Sequence, residues 1–482
     1  MIQLRPYQQE FVDNIRKKLF ERKRVIACAA TGSGKTKTFL AITQMAIDKK
    51  KTVLIISEST KIFKQISDEM GSAIEISAKV KSLDIKQNSV YIAMSQTLVR
   101  RPEIIKQFRS LGKNLIIITD EIHVGTPQTL LQQLQSEIYH IGFTATPLGK
   151  HLPLLYDDIV IGPQPQWLVE NSYLSPYYHY ERQVVDISKL KKSSTGDFTE
   201  KSQEEAFEKR QVYDGIFVDI KKFPYKKAMV FCASISHSES VGRQFRSHGY
   251  NVAVVHSKNG ESTNELAKFQ NLTSGVDVCV SVGSLQKGFD FPAIDLVILL
   301  RSTLSLPCYL QMIGRGSRMS EFTNKQKFIC LDYGSNASRH NTWNIDRDWD
   351  VLWKGKEKEE KGVPPIKCCP QCGFITYASA LICPECKFVF PKSVAPPQET
   401  ELIMLNTEYN ELKGRKISTL DAKSLSVYAK STNKKNFAIR IAKSKNDMKF
   451  LQEFAFNMGY KQGWTYSQYT DEKIEFHDIT IK

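Results

Sequence analysis

Residues Ala29–Thr36 read AATGSGKT and lie between an apolar run, RVIACAA, and an amphipathic one, KTKTFLAITQMAIDKK. No other feature constrains the chain as tightly. A glycine-containing turn that leaves a strand and opens a helix belongs to a βαβ unit, which requires a parallel sheet with crossover helices. Gly32 and Gly34 allow backbone amides to approach a phosphate, with Thr31 and Ser33 completing the cradle. Lys35 reaches the outer phosphates, and the Thr36 hydroxyl suits magnesium. Ala29 stands where the strict form of this loop has its first glycine.

The rest of the chain repeats the alternation. KTVLIIS precedes KIFKQISDEM, and SVYIAMS, NLIIITD and YHIGFTAT are further strand candidates. A second set runs through KKAMVFCAS, a helix near Ser238–His248, NVAVVHS, DVCVSV, IDLVILLR and KFICLDY. The pattern predicts two α/β domains with parallel sheets, over 1–160 and 161–335. A polar insert, DISKLKKSSTGDFTEKSQEEAFEKR, reads as a mobile surface segment plus a helix. A charged linker over 336–366, a cysteine module over 367–391 and a small helical or α+β domain over 399–482 complete the organisation. No secretory h-region opens the chain and no run is long and apolar enough to span a bilayer, so a cytoplasmic protein is expected. The scattered Cys28, Cys232, Cys279, Cys308 and Cys330 fit small buried hydrophobes of a reducing compartment. A net charge of +16 points to a polyanionic partner, nucleic acid foremost, the plain alternative being a soluble basic protein.

Two further stretches extend the phosphate loop into a site. NLIIITDEIH puts Asp120 and Glu121 at the C-terminal end of a strand, where ligands of α/β sheets bind. One carboxylate suits magnesium and its neighbour can orient the attacking water; two solvated acids at a strand end are the alternative. QMIGRGSR supplies Gln311, Arg315 and Arg318. Arginines arriving from a second domain would complete a site that otherwise lacks a cation opposite Lys35, unless they form only a basic surface loop.

Taken in order from Leu4 to Tyr333, these stretches resemble the motifs of superfamily 2 helicases and translocases, which implies two tandem RecA-like domains. LRPYQQE resembles the adenine motif, with Gln8 on the base edge and Arg5 and Tyr7 nearby. DEIH is similar to the DExH motif, and GFTATP to the coupling motif; the resemblance gives His123, Thr144 and Thr146 coupling roles. SVGSLQKGFDFP resembles the motif whose Gly288 and Asp290 would sit near the ribose and γ-phosphate, and Arg318 would be the arginine finger. Val282 departs from the usual threonine, and SESTKIFKQ lacks the usual proline. The implied nucleic-acid contacts are Gln65, Ser95, Gln96 and Thr97, with ordinary loop or cap roles as the alternative. RadD-type bacterial or phage repair ATPases are the most similar subgroup. That likeness implies ATP and magnesium, a forked, branched or single-stranded DNA partner, a single-strand-binding protein as a possible partner, and no membrane. Open alternatives are an RNA helicase, the motor subunit of a restriction or defence system, and a scaffold with a dead ATPase, against which the intact Lys35, Asp120, Glu121, Arg315 and Arg318 argue.

CCPQCGFITYASALICPEC contains two Cys-Pro-x-Cys knuckles with ten residues between them. Cys369, Cys372, Cys383 and Cys386 suit tetrahedral zinc; four thiolates also take iron, but a closed structural site favours zinc. Cys368 is left over as a bystander, and FITYASALI reads as a short hairpin or turn. So small a module gains its folding energy from the metal, and either braces the second domain or touches DNA. Further on, Met448, Leu451, Phe454, Ala455 and Met458 recur at helical spacing. Tyr460, Trp464, Tyr466 and Tyr469 beside Lys461 either stack nucleotides or pack together.

Overall fold

The computed structural model describes residues 2–481 apart from 59, 81, 124–125, 135–137, 183–184, 195, 284–288, 356–365, 391–410, 433, 461–462 and 470–477. Seven strands form the first sheet: β1 (Arg24–Cys28), β2 (Thr52–Ser57), β3 (Ile74–Ile76), β4 (Val90–Met94), β5 (Leu115–Asp120), β6 (Tyr139–Thr144) and β7 (Asp158–Ile161). Their order is β3-β4-β2-β5-β6-β1-β7, and every pairing is parallel. Helices cover both faces, which is why β2 is apolar and buried along its length rather than alternating. Val53 and Ile55 pack with Phe39 and Leu40 of the helix Lys35–Asp48. Leu54 and Ile56 point the other way, to Leu98, Ile105 and Phe108.

The second sheet contains β8 (Tyr177–Glu181), β9 (Ala228–Cys232), β10 (Val252–Val255), β11 (Val278–Ser281), β12 (Leu296–Leu300) and β13 (Phe328–Asp332). Its order is β10-β11-β9-β12-β13-β8, again all parallel. Two tandem RecA-like α/β layers result. Met229, Val297 and Leu299 share one apolar cluster with Tyr7, Ile26 and Ile159 of the first layer, so the two sheets adjoin through a continuous core.

Two stretches are more ordered than their polarity predicts. The first part of the expected linker carries helices Asn336–His340 and Trp349–Trp353, and Trp343, Trp349 and Trp353 are buried. The Gln164 side chain donates to Arg347 O (3.0 Å) and accepts from Arg347 N (2.8 Å). The three indoles are the physical reason: their area outweighs the charge of the sequence around them. The polar insert, expected to be mobile, is tied down as well. Asp197 accepts from Thr303 Oγ1 (2.6 Å) and Leu304 N (2.7 Å), and Phe207 of the helix Glu200–Phe207 is fully buried.

The cysteine module contributes β14 (Ile366–Cys368) and β15 (Ile375–Tyr377), paired antiparallel around the first knuckle. The hairpin therefore wraps the first knuckle, with its first strand before Cys369 and its second in the segment that joins the knuckles. It docks on β8: Phe374 bridges to Tyr180, and Glu181 N donates to Gly373 O at 2.8 Å. Cys368, expected to be a bystander, donates its Sγ–H to Glu181 O at 3.2 Å.

A separate unit spans Pro391–Lys482. Helices Ala422–Thr432, Lys435–Ser444, Met448–Met458 and Trp464–Gln468 enclose Leu425, Ala438, Ile441, Leu451 and Phe454. Tyr460 and Trp464 pack together at 4.4 Å, whereas Tyr466 is exposed; Lys461 lies outside the described residues. No helix among the described residues is long and apolar enough to cross a membrane.

Candidate nucleotide cleft

The phosphate loop leaves the C-terminal end of β1, beside the ends of β6 and β5. Gly32 and Gly34 have φ of 86° and 82°, which L side chains rarely adopt. A Cβ at Gly34 would also collide with the Gln8 amide. Tyr7 Oη and Gln8 Nε2 each donate to Ser33 O at 2.9 Å, and Gln8 Oε1 accepts from Arg5 N at 3.0 Å. Both ends of the Gln8 amide are thus engaged, and the residue is buried. The resemblance puts this amide on a base edge; Gln8 lines the cleft and also props the phosphate loop. Lys35 Nζ donates to Ala29 O at 3.4 Å, across the mouth of the loop.

Asp120 is buried at the end of β5, and Glu121 follows with φ of 51°. A left-handed glutamate costs energy and turns the two carboxylates out of the alternation a strand would impose. Burial, and then the charge of Glu121, pushes Asp120 up to about 7 against the pull of Lys35. A buried carboxylate beside a half-buried one fits a divalent cation, which would restore charge balance.

His123 joins three elements. Its Nδ1 lies 3.0 Å from Thr144 Oγ1 and its Nε2 3.4 Å from the Gln311 amide nitrogen. Gln311 can only donate through that atom, so Nε2 accepts and Nδ1–H donates to Thr144. Thr144 Oγ1 then donates to Thr146 O (3.1 Å) and accepts from Thr146 N (3.0 Å). Glu121 Oε2 is 3.3 Å from Nδ1, within electrostatic reach of the same proton.

The opposite wall comes from the second sheet. Arg315 donates to Phe289 O; burial lowers its guanidinium to about 10 while Glu121 works to keep it charged. Arg318 pairs with Asp290 and is likewise lowered to about 10 by burial. A Cβ at Gly314 would come within 2.8 Å of Thr31, and one at Gly32 within 3.2 Å of Ser317 Oγ. The phosphate loop and the arginine segment therefore touch. Between them lies a cleft of about 520 Å³, lined by Arg5, Gln8, Thr31–Thr36, Asp120, Glu121, Asp290, Gln311, Arg315 and Arg318.

Of the expected nucleic-acid contacts, Gln65 lines this cleft instead, and Ser95 is fully buried. Gln96 is exposed and Thr97 half-buried. Gly288 lies outside the described residues. Gln3, Lys37, Phe289 and Pro292 also line the cleft and were not singled out; their only sequence signal was proximity to a motif.

In the cysteine module, Cys369 and Cys386 Sγ are 3.6 Å apart and Cys372 and Cys383 Sγ 3.7 Å. Four thiolates at about 2.3 Å from a tetrahedral centre stand about 3.8 Å from one another, so the donor set fits zinc. Backbone amides of Gln371 and Cys372 point at Cys369, and those of Glu385 and Cys386 at Cys383.

Residues 1–149 match the family described as "Type III restriction enzyme, res subunit", and residues 208–320 match "Helicase conserved C-terminal domain". The chain belongs to the superfamily 2 DExH-type helicases. A 51.5 kDa protein of a Lactococcus phage is 27% identical, over 86% of this chain and 87% of its own length. The ATP-dependent helicase Lhr-Core of Methanocaldococcus jannaschii is 25% identical, over 66% of this chain and 41% of that one. The type I restriction enzyme EcoAI endonuclease subunit of Escherichia coli is also 25% identical, over 65% and 44%. The chain thus spans less than half of these two larger proteins. Among solved structures, a fragment described as an HsdR subunit of a type I restriction enzyme from Vibrio vulnificus superposes with a TM-score of 0.57 at 23% identity, covering 71% of this chain and 66% of that one. The restriction-modification enzyme LlaBIII bound to DNA gives 0.52 at 18%, covering 73% and 29%; both likenesses concern the fold.

Proposed function

We propose that this helicase-family chain remodels DNA, converting ATP hydrolysis in the cleft into movement of one RecA-like layer against the other along a strand. The observation that carries the reading is the meeting of Lys35, Asp120 and Glu121 with Arg315 and Arg318 in one cleft whose walls already touch. Lys35 and the loop amides would hold the phosphates, Thr36 and Asp120 would hold magnesium, and Glu121 would orient the attacking water. The bound magnesium would supply charge neutralisation at the phosphates. Arg315 and Arg318 would meet the charge that develops as the phosphate leaves, and only with the cleft closed. His123 would report that closure to Thr144 and Thr146. Zinc held by Cys369, Cys372, Cys383 and Cys386 would stabilise the hairpin against β8 and brace the second layer.

The positive balance of the chain suits a nucleic acid of either kind; the DNA complex of LlaBIII and the RadD-type motifs favour DNA over RNA, with forked or branched substrates and repair or recombination as the setting. The deciding experiment measures ATP turnover with single-stranded, duplex, forked and four-way DNA and with RNA. Forked or four-way DNA should stimulate most, and equal stimulation by RNA would refute the DNA reading. Lys35→Ala and Glu121→Gln should each lower turnover by roughly 10²–10³-fold. Either variant turning over ATP at the wild-type rate would remove these residues from the site. A second reading, the motor of a restriction assembly, draws on the likeness to the EcoAI subunit. It predicts translocation on unbranched duplex without strand separation.

A further inference from the structure

Lys325 lies outside every motif discussed above, on the segment that leads into β13, and is only 5% exposed. A buried ammonium is costly where a Met or Leu of similar volume would be free of the cost. Its three protons go to three carbonyls: Ile294 O, Gly316 O and, at 3.4 Å, Pro292 O. An ammonium has three donors and no acceptor, so the set is complete. The acceptors come from two segments. Pro292 lines the nucleotide cleft two residues after Asp290, and Gly316 lies between Arg315 and Arg318.

Gly316 itself has no freedom to move toward the sheet. A Cβ there would be 2.5 Å from Phe328 Cδ2 and 3.0 Å from Val297 Cγ2. The sheet thus stops the arginine segment from below, and the Lys325 ammonium holds it from the side. The same ammonium lies 5.5 Å from the Phe328 ring. The charged groups that face it are Asp295, which favours its charged form, and Arg318, which opposes it; burial, with Arg318 acting in the same direction, outweighs Asp295 and brings it down to about 7.

We propose that Lys325 is a positioning residue of the ATPase site: it ties the Gly316 backbone to the Pro292–Ile294 segment and thereby sets where Arg315 and Arg318 stand opposite Lys35. The inference rests on the cleft being an ATPase site. Lys227 is the natural control. It is equally buried and also donates to carbonyls, Val276 O (2.5 Å) and Asn271 O (3.3 Å), but these lie beyond the helix Ser262–Gln270 rather than beside the cleft.

The test compares DNA-stimulated ATP turnover, ATP affinity and thermal unfolding for full-length Lys325→Met, Lys325→Arg, Lys325→Gln and Lys227→Met. An ångström-scale displacement of catalytic groups costs about 10²-fold, so Lys325→Met should lose kcat on that scale while KM for ATP changes by no more than about threefold. Lys325→Arg, which keeps charge and donors, should recover part of the loss. Lys227→Met should unfold at a lower temperature yet keep its kcat. If Lys325→Met does not fold, Lys325→Gln carries the test: with two donors remaining it should fold and show a reduced kcat at unchanged KM. A folded Met or Gln variant with wild-type kcat overturns the proposal, as does a kcat loss matched by Lys227→Met. Absence of ATP turnover in the wild type would instead refute the ATPase reading beneath it.

Discussion

His123 shows how much one side chain can carry. Its ring joins the acidic turn after β5 to Thr144 at the end of β6 and to Gln311 of the second layer. Removing the ring breaks the link from Gln311 through His123 to Thr144 while leaving Lys35 and the loop amides in place. Coupling energies between sites are typically 1–3 kcal/mol, so His123→Ala should cut the stimulation of ATPase by DNA about tenfold. Nucleotide binding, read by titration with a fluorescent ATP analogue, should change little; unaltered stimulation would show that His123 does not couple the layers. At this scale the sequence is legible where spacing fixes chemistry. Lys35, Asp120 and Glu121 occupy positions a strand and a turn prescribe. Gln8 was not legible in the same way. Its partner, Ser33 O, is set by how the first helix lies against the phosphate loop, and no local pattern records that angle.

The cysteine module makes the same point for elements. Two knuckles at this spacing announce a metal, and the sulfur separations agree with it. What the spacing conceals is the address. β8, with sequence YYHYE, has neither the apolar run nor the alternation of a readable strand, yet it forms the edge onto which the hairpin docks. An uncovered edge strand is a template for aggregation, and the module covers this one. The purified chain should therefore carry about one zinc, and stripping it with a chelator should lower the melting temperature and promote aggregation. Cys383→Ser should lose the metal. Cys368→Ser should retain it, because Cys368 meets only carbonyl oxygens and not the other sulfurs. Metal analysis on the two variants separates the docking cysteine from the four ligands, and equal zinc loss in both would contradict the assignment.

At the scale of the whole motor, the decisive feature is how the two layers are kept together while they move. Three of the five tryptophans fall within residues 343–353, a density that the surrounding charge obscures in the sequence. Trp343, Trp349 and Trp353 join the same apolar cluster as Ile159 of the first layer and Leu168 of the connection that follows it. The chain leaves the second layer after β13 and returns to the connection that follows β7, where Gln164 grips the Arg347 backbone through two hydrogen bonds. Arg347 in turn donates to the carbonyls of His340 and Thr342, which stiffens the returning segment. If a strap built this way holds the cleft near its closed geometry, part of the ordering cost of nucleotide binding is met before ATP arrives. Gln164→Ala removes both hydrogen bonds at about 1 kcal/mol each. If the strap sets the closing equilibrium, KM for ATP should rise by roughly 5- to 30-fold at saturating DNA, with kcat preserved once ATP saturates. An unchanged KM in a folded variant would mean that the strap only fastens the fold. A fall in kcat with constant KM would place its effect on the arginine side of the cleft.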